Sequence, residues 1–302
     1  MFLTVMKRLL KNRYLYLMIA PVIIWYIIFC YAPMFGLVIA FKEYDVFDGI
    51  IASEWVGLEH FQRFFTSIYS VRLIRNTFLI SFYGLVFGFP APIILALLFN
   101  ELKAGKFKKL TQTISYLPHF ISTVIIVGMF TTFLQPETGL INNIIARFGG
   151  ERVYFLAEPR YFRSLYIIMD IWRSVGWGSI IYLAALSNVE MELYEACIID
   201  GGGYWRQLWH ITLPGIAPTV VIMLILRIGQ LMTVGYESII LMYSPATYIT
   251  GDVISTYVYR VGLQDANYSF SSAVGMFNSV ISLILLVFAN TVSKRFGETS
   301  LW

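Results

Sequence analysis

The sequence predicts an all-α, polytopic membrane protein, built as one domain over residues 1–302 with six transmembrane helices. Of its 302 residues, 58% are hydrophobic and only 13% are charged, whereas soluble domains carry about 25% charged residues. The mean hydropathy is +0.70. The apolar residues are also gathered into runs of roughly 20, the length of a helix that crosses a bilayer. These observations exclude an ordinary soluble domain.

Six apolar runs are long enough to be spans, and a polar loop separates the fourth from the fifth. Several prolines lie in or beside these runs, where neighbouring helices can re-satisfy the backbone groups that a proline frees. They are Pro21, Pro33, Pro90, Pro92 and Pro118. The predicted spans lie at about residues 15–41, 76–99, 113–135, 164–187, 216–243 and 270–292, and the polar loop at about 188–213.

The N-terminal segment places four basic residues before a long apolar run. A signal peptide would have an apolar region of about 7–15 residues and a small-residue cleavage site. This run is about twice that length, and no Ala-x-Ala triplet follows it. We therefore predict an uncleaved first span. A short interfacial helix is expected before it, with an apolar stripe made of Phe2, Val5, Met6, Leu9 and Leu10.

The lysines indicate the orientation of the spans. With six spans, seven lysines fall on one side and only Lys42 on the other. Arginines are distributed more evenly between the two sides of the membrane. Those on the side opposite the lysines lie in long loops, where the positive-inside rule is weak. Both termini are therefore predicted to be cytoplasmic. The seven lysines are Lys7, Lys11, Lys103, Lys106, Lys108, Lys109 and Lys294, and the opposite arginines are Arg63, Arg72, Arg147, Arg152 and Arg160.

The outer loops, at about 42–75 and 136–163, mix charged and aromatic residues and are expected to fold as short interfacial helices over the bundle. The net charge of +4 is too small to suggest a nucleic-acid partner, so membrane lipid is the expected surrounding. Cys30 lies in the first apolar run and Cys197 in the polar loop. A disulfide between them is not expected.

The polar loop has the signals of two short helices. Residues 187–190 read Ser-Asn-Val-Glu and fit a capping box, which would start a helix running from about 188 to 200. Gly201 follows, where a left-handed residue often ends a helix. A second short helix is expected over 204–211, and Pro214 marks the return into the membrane. The loop is therefore predicted to be a structured helical elbow.

The surface of the elbow fits a protein partner. Ala196 leaves room for close approach, and three carboxylates surround it, those of Glu192, Glu195 and Asp200. Apolar anchors of the type enriched at interface hot spots are also present, namely Tyr194, Trp205, Leu208 and Trp209. The composition of the loop alone is equally consistent with an amphipathic loop that lies on the lipid surface, where its tryptophans would be interfacial aromatics.

Six residues of the loop stand at a diagnostic spacing: Glu195, Ala196, Gly201, Ile211, Leu213 and Pro214. This pattern resembles the cytoplasmic coupling motif of bacterial ABC importer permeases, EAA-x3-G-x9-I-x-LP. Cys197 replaces the second alanine, which exchanges one small side chain for another. Further motifs are similar to permeases of the carbohydrate-uptake group, in particular the polysaccharide and lipo-oligosaccharide type that includes alginate importers. These motifs are Pro33-x-x-Gly36 and Gly57-Leu58-x-x-Phe61.

The resemblance implies a type I ABC importer permease in the bacterial plasma (inner) membrane, forming half of the pathway for an oligosaccharide or polysaccharide. It also implies four kinds of partner: a second homologous permease, two ATP-binding cassette ATPases, an extracytoplasmic solute-binding protein and lipid. The chain has no Gly-x4-Gly-Lys-[Ser/Thr] loop. A non-catalytic subunit without a cofactor is therefore expected, with ATP and Mg bound by the ATPases.

Polar residues inside predicted spans are candidates for the substrate path, because each is costly unless it faces water or a partner. In span four, Asp170 and Arg173 share a face, and a buried structural ion pair between them is the favoured interpretation. In span five, Arg227, Gln230 and Glu237 fall on one helical stripe, which is expected to line a cavity or contact the second permease. The full candidate set is Asp170, Trp172, Arg173, Arg227, Gln230, Glu237 and Asn278, with Trp177 and Tyr236 as nearby aromatics.

Span six has small and polar residues on one face, Ser271, Gly275, Asn278 and Ser282, a pattern typical of close helix packing. Three alternatives to a sugar importer stay open. An integral-membrane transferase would require converging acid or base groups, yet the three histidines lie in separate segments. A permease for a non-sugar small solute would have the same elbow, whereas an ion-driven carrier would not need one.

Overall fold

The structure is a computed structural model that describes residues 13–296 and 300. The interfacial helix predicted over residues 2–10 lies outside the described residues. In the described part, four helices are long and apolar enough to cross a membrane, and a bent pair would make a fifth span. These four are α1 (Arg13–Phe41), α4 (Ser70–Glu101), α10 (Tyr204–Gly229) and α14, which begins at Tyr268.

The remaining elements are shorter or more polar. The bent pair is α5 (Lys106–Phe120) and α6 (Thr123–Phe133). The others are β1 (Lys42–Glu43), α2 (Gly49–Ala52), β2 (Glu54–Trp55), α3 (Glu59–Thr66), α7 (Leu140–Arg147), α8 (Pro159–Leu186), α9 (Met191–Ile199), α11 (Tyr236–Met242), α12 (Tyr248–Gly251, after a 3₁₀ turn over Pro245–Thr247) and α13 (Ile254–Tyr259, continued by a π turn over Arg260–Gln264), and α14 ends at Phe296.

Wide helical turns explain how the long helices accommodate proline. A π turn ends two residues before Pro33, Pro90 and Pro214. Proline has no N–H to donate, and its ring crowds the carbonyl of the preceding turn. A π turn widens the helix at that point and interrupts the regular i to i−4 hydrogen bonds. The three turns are Ile27–Tyr31, Gly84–Gly88 and Leu208–Thr212.

The third predicted span is broken. The sequence predicts one helix over 113–135, but α5 and α6 meet at an angle of 103°. Pro118 lies in the tight last turn of α5, and Ile121 leaves the helix in an extended conformation. The Ser122 hydroxyl then accepts a hydrogen bond from the Ile125 N–H and starts α6. A proline stop followed by a serine cap therefore divides the span.

The fourth span is a single helix of 28 residues, about 42 Å long at 1.5 Å per residue. Asp170 and Arg173 lie in its middle, and it is not among the helices that pass as apolar spans. The count of six spans and the orientation of the termini therefore stay predictions. Gly176 allows α8 to approach α5 closely, because a Cβ there would collide with the backbone of Ser115.

The first outer loop is folded, but it is not only helical. β1 and β2 pair antiparallel, with Lys42 opposite Trp55, an arrangement that the sequence analysis did not predict. The Lys42 ammonium donates to three backbone carbonyls, those of Ile50, Ile51 and Ser53. The short helices α2, α3 and α7 agree with the expectation of helical segments in both outer loops.

A buried carboxylate holds the segment after α10 against the bundle. Asp252 is fully buried, and its Oδ2 accepts from Arg260 at 2.8 Å and from Arg72 of α4 at 3.4 Å. Asn76 of α4 donates to the Asp252 carbonyl at 3.0 Å. The Tyr243 hydroxyl accepts a further hydrogen bond from Arg260 at 3.2 Å.

Candidate functional site

The elbow begins where α8 ends, and its first turn differs from the prediction. The Ser187 hydroxyl donates back to the Leu183 carbonyl, 2.9 Å away, and so continues α8 instead of capping the next helix. Helix α9 starts at Met191, and Glu190 makes no side-chain cap. The capping box predicted for Ser187 and Glu190 is therefore wrong, because the turn that ends α8 takes up Ser187, and Glu190 itself is the N-cap residue of α9.

The end of α9 is formed by glycine, as predicted. Gly201 has φ +77°, a left-handed conformation that favours glycine. Its N–H bonds to the Ile198 carbonyl at 3.0 Å, and the Gly202 N–H bonds to the Cys197 carbonyl at 2.7 Å. These two bonds form a Schellman motif, which satisfies carbonyls at the helix end. A Cβ at Gly202 would collide with the Cys197 Sγ, so the reversal is tightly packed.

The second half of the elbow is continuous with the fifth span. The separate helix predicted over 204–211 does not form, because α10 runs unbroken from Tyr204 through Pro214 to Gly229. The wide turn over Leu208–Thr212 makes this possible. At its end the Thr212 hydroxyl lies 3.0 Å from that of Tyr194. This contact joins α9 to the start of α10.

The elbow presents an exposed surface with both charge and apolar area. The predicted contact residues Glu192, Glu195, Ala196, Asp200, Gly201, Trp205 and Pro214 are exposed, and Leu213 is partly buried. Ile199, which the sequence analysis did not single out, is 85% exposed, and Trp205 is 69% exposed. Exposed large apolar side chains beside three carboxylates are typical of a protein-binding surface.

A polar cavity of about 140 Å³ lies between α4, α8 and the end of α10. Asp170, Arg173, Arg227 and Gln230 line it together. The Asp170 carboxylate is 4.0 Å from the Arg227 guanidinium, and it forms no ion pair with Arg173 among the described residues. The favoured prediction of a buried Asp170–Arg173 pair is therefore wrong. The two residues share a helix, but Asp170 faces α10.

The stripe predicted along span five does not form. The prediction assumed one helix over 216–243, but α10 ends at Gly229, and a turn over residues 230–232 and an irregular segment over 233–235 precede α11. Arg227 and Gln230 still reach the cavity, whereas Glu237 is exposed in α11 and does not line it. Gly229, the last residue of α10, leaves space for the Leu286 side chain of α14.

Residues 88–298 match the family described as binding-protein-dependent transport system inner membrane component. This match covers more than two thirds of the 302 residues. The chain belongs to this family of permeases. With several apolar spans, the permease is a multi-pass protein of the inner membrane.

Two Bacillus subtilis (strain 168) relatives match the permease over almost all of its length. It is 46% identical over 295 residues to the polygalacturonan/rhamnogalacturonan transport system permease protein YteP, covering 98% of this chain and 92% of the relative. It is 42% identical over 297 residues to protein LplB, covering 98% and 93%. The relatives that are named by function are transport permeases rather than enzymes.

The fold is also that of a solved transporter subunit. A chain of the bacterial alginate ABC transporter, solved in complex with an alginate pentasaccharide-bound periplasmic protein, superposes with a TM-score of 0.90. The two chains are 46% identical, and the match covers 98% of the permease and 99% of that chain. The predicted all-α ABC permease fold is thereby confirmed.

The other predicted path residues of the permease lie apart from the polar cavity. Trp172 is exposed on α8. Asn278 lines a second cavity of about 400 Å³ together with Tyr236 and Ser271, and it donates to the Met232 carbonyl at 3.1 Å. Span six packs closely at Ser271, because a Cβ added at Gly262 would lie 2.6 Å from the Ser271 hydroxyl. It does not pack closely at Gly275, where an added Cβ would meet nothing within 4 Å.

Some residues that line the polar cavity of the permease were not predicted. They are small or neutral side chains, such as Ser81 and Gly84 of α4, Tyr166 of α8, and Gly235 and Ser238 near α11. Gly84 leaves space for the Arg227 guanidinium, which a Cβ at that position would meet at 3.4 Å. Their residue types give no charge signal in a membrane span, so only the packing of helices identifies them.

Proposed function

We propose that this chain is one of the two permease subunits of an ATP-driven importer for an oligosaccharide or polysaccharide. The observation that carries the proposal is the elbow over 188–213, an exposed, rigid turn built between α8 and α10. In a family of binding-protein-dependent transport components, such a surface suits an energy-supplying partner. The saccharide class is supported by relatives named for polygalacturonan and alginate transport.

The elbow is the proposed docking site for one of two cytoplasmic ATPase subunits, which would bind ATP and Mg. Closure of the ATPases would push on α9, and the Gly201 turn and the Tyr194–Thr212 contact would pass this motion to α8 and α10. Because the polar cavity lies between α4, α8 and α10, rigid movement of these helices would change access to it. This is alternation by rigid-body motion around a central site.

The polar cavity is the proposed contact point for the saccharide, shared with the second permease. Three charged residues line the cavity, namely Arg173, Arg227 and Asp170, so their net charge is +1. A guanidinium binds a carboxylate in two-pronged fashion. We therefore propose an acidic saccharide, delivered by an extracytoplasmic solute-binding protein. The solved relative imports the acidic polysaccharide alginate, which supports this choice.

Co-purification of the ATPase tests the docking role of the elbow. Ile199→Asp places a charge on an 85% exposed apolar position of α9 and should remove the ATPase from the purified complex. Ile51→Asp makes the same change at a 94% exposed position of the outer loop and should leave the complex intact. Equal amounts of ATPase in both preparations would reject the docking role.

Uptake measurements test the substrate class separately. Arg173→Gln should lower uptake of oligogalacturonate more than uptake of a neutral oligosaccharide of the same length. Arg147→Gln, which removes an exposed arginine at the end of α7, is the control and should change neither. Equal losses for both sugars would reject recognition of the carboxylate, while the ATPase assay would still report on docking.

A further inference from the structure

A second groove opens between α4 and α8, at the end of the bundle opposite the elbow. Its volume is about 450 Å³. Ile167 lines both this groove and the polar cavity, so the two lie on adjacent sides of α8. The groove is lined by Arg160, Arg163, Ser164, Ile167, Ile168 and Ile171 of α8 and by Tyr83 and Phe87 of α4.

The end of the groove at the start of α8 is positively charged. Arg160 is exposed, and its Nε pairs with Glu158 at 2.7 Å. Arg163 donates to the Asn76 side chain and to the Thr250 carbonyl, both neutral groups. Arg75 does not line the groove, but it precedes Asn76, the residue to which Arg163 donates, and it forms no ion pair in the described part of the chain. Three cations and one carboxylate leave two positive charges unbalanced.

The rest of the groove is apolar. From Arg160 to Ile171 is eleven residues, about 16 Å along the helix axis. Apart from Ser164 and the Tyr83 hydroxyl, the wall below the arginines consists of isoleucines and aromatic rings. Ile168 and Phe87 are 56% and 59% exposed. The chemistry therefore changes along one helix face, from cationic at the membrane surface to hydrocarbon towards its middle.

We propose that this groove binds an anionic phospholipid in the leaflet away from the elbow. The phosphate and the anionic headgroup lie against Arg160 and Arg163, with the charge of Arg75 nearby, and one acyl chain follows Ile168 and Ile171. Charged headgroups and hydrocarbon chains have this same order of polarity with depth, and basic pockets between transmembrane helices bind such headgroups. The site is separate from the polar cavity, so it does not depend on the transported solute.

Lipid retention by the complete transporter tests the site. The complex is purified in detergent with equimolar phosphatidylglycerol and phosphatidylcholine, and bound lipids are counted by native mass spectrometry. The wild type should retain phosphatidylglycerol preferentially. The double variant Arg75→Gln/Arg160→Gln keeps the structural Arg163 and should weaken this preference about fivefold for each arginine removed. Arg147→Gln is the matched control and should leave it unchanged.

A second pair of variants tests the acyl-chain part of the groove. Ile168→Trp fills the groove and should lower retention of both lipids, whereas Ile181→Trp, at a 42% exposed position further along α8, should not. Unchanged phosphatidylglycerol in the double arginine variant would overturn the proposal. It would also be overturned if oligogalacturonate displaced the lipid, or if a cysteine at position 168 crosslinked to the second permease.

Discussion

The hydroxyl groups of Tyr194 and Thr212 lie 3.0 Å apart and join α9 to the wide turn that begins α10. Thr212 also donates to the Gln207 carbonyl at 3.3 Å, and Val189 fills the space beside Gly215. The two arms of the elbow are therefore packed against each other. A rigid body of this kind can transmit a push, whereas a flexible loop would absorb it.

The Tyr194 hydroxyl is expected to matter for coupling. Tyr194→Phe removes one hydrogen bond, worth about 1 kcal/mol, and leaves the ring in place. We expect the uptake per ATP hydrolysed to fall, while the amount of assembled complex stays the same. Tyr204→Phe is the control, because Tyr204 makes a ring contact with Trp205 and its hydroxyl has no hydrogen-bond partner in the described part. Both variants are measured in proteoliposomes, and identical coupling in the two would contradict the expectation.

Gly201 is expected to be required for its backbone conformation. Gly201→Val places a β-branched residue at φ +77°, which costs about 1–2 kcal/mol and should redirect the chain after α9. ATP hydrolysis should continue without matching uptake. Gly203→Val is the control, since Gly203 has φ −85° and a Cβ there meets nothing within 4 Å. Parallel assays of ATPase activity and uptake decide the matter, and normal uptake in Gly201→Val would count against coupling through this turn.

Gly176 is expected to be required for packing of the bundle. Gly176→Ala forces a methyl group into the backbone of Ser115, so α8 must move away from α5 at a cost of about 3 kcal/mol. Thermal unfolding in detergent should show a clear loss of stability. Gly128→Ala in α6 adds the same methyl group where nothing lies within 4 Å and should be neutral. Equal melting temperatures would show that the two helices are not held this closely.

Asp252 is expected to stabilise the segment that follows α10. Asp252→Ala leaves Arg260 and Arg72 without their buried partner. Because both arginines are partly exposed, we expect a loss of about 2–3 kcal/mol, below the range for a fully buried pair. Asp265→Ala changes an exposed carboxylate and should have no effect. The two variants are compared by thermal unfolding. An unchanged melting temperature for Asp252→Ala would show that water replaces the ion pairs of Arg260 and Arg72 with Asp252.

Much of the elbow was predictable because its signals are local. The left-handed Gly201 depends only on the residue type and its neighbours, so the sequence predicted it correctly. The capping box at Ser187 failed because the hydroxyl bonds back to Leu183 and extends α8. A local motif can be satisfied in two ways, and packing of the longer helix selects one of them.

The sequence by itself determined the class of protein, the position of the elbow and most of the residues that it exposes, because hydropathy and motif spacing act over short stretches of chain. Tertiary structure alone decided that Asp170 faces Arg227 and that Ser81, Tyr166 and Ser238 line the same cavity. These features depend on contacts between residues far apart in sequence. Helix period and residue type do not specify such contacts, because the partner of a polar group is set by how the helices pack.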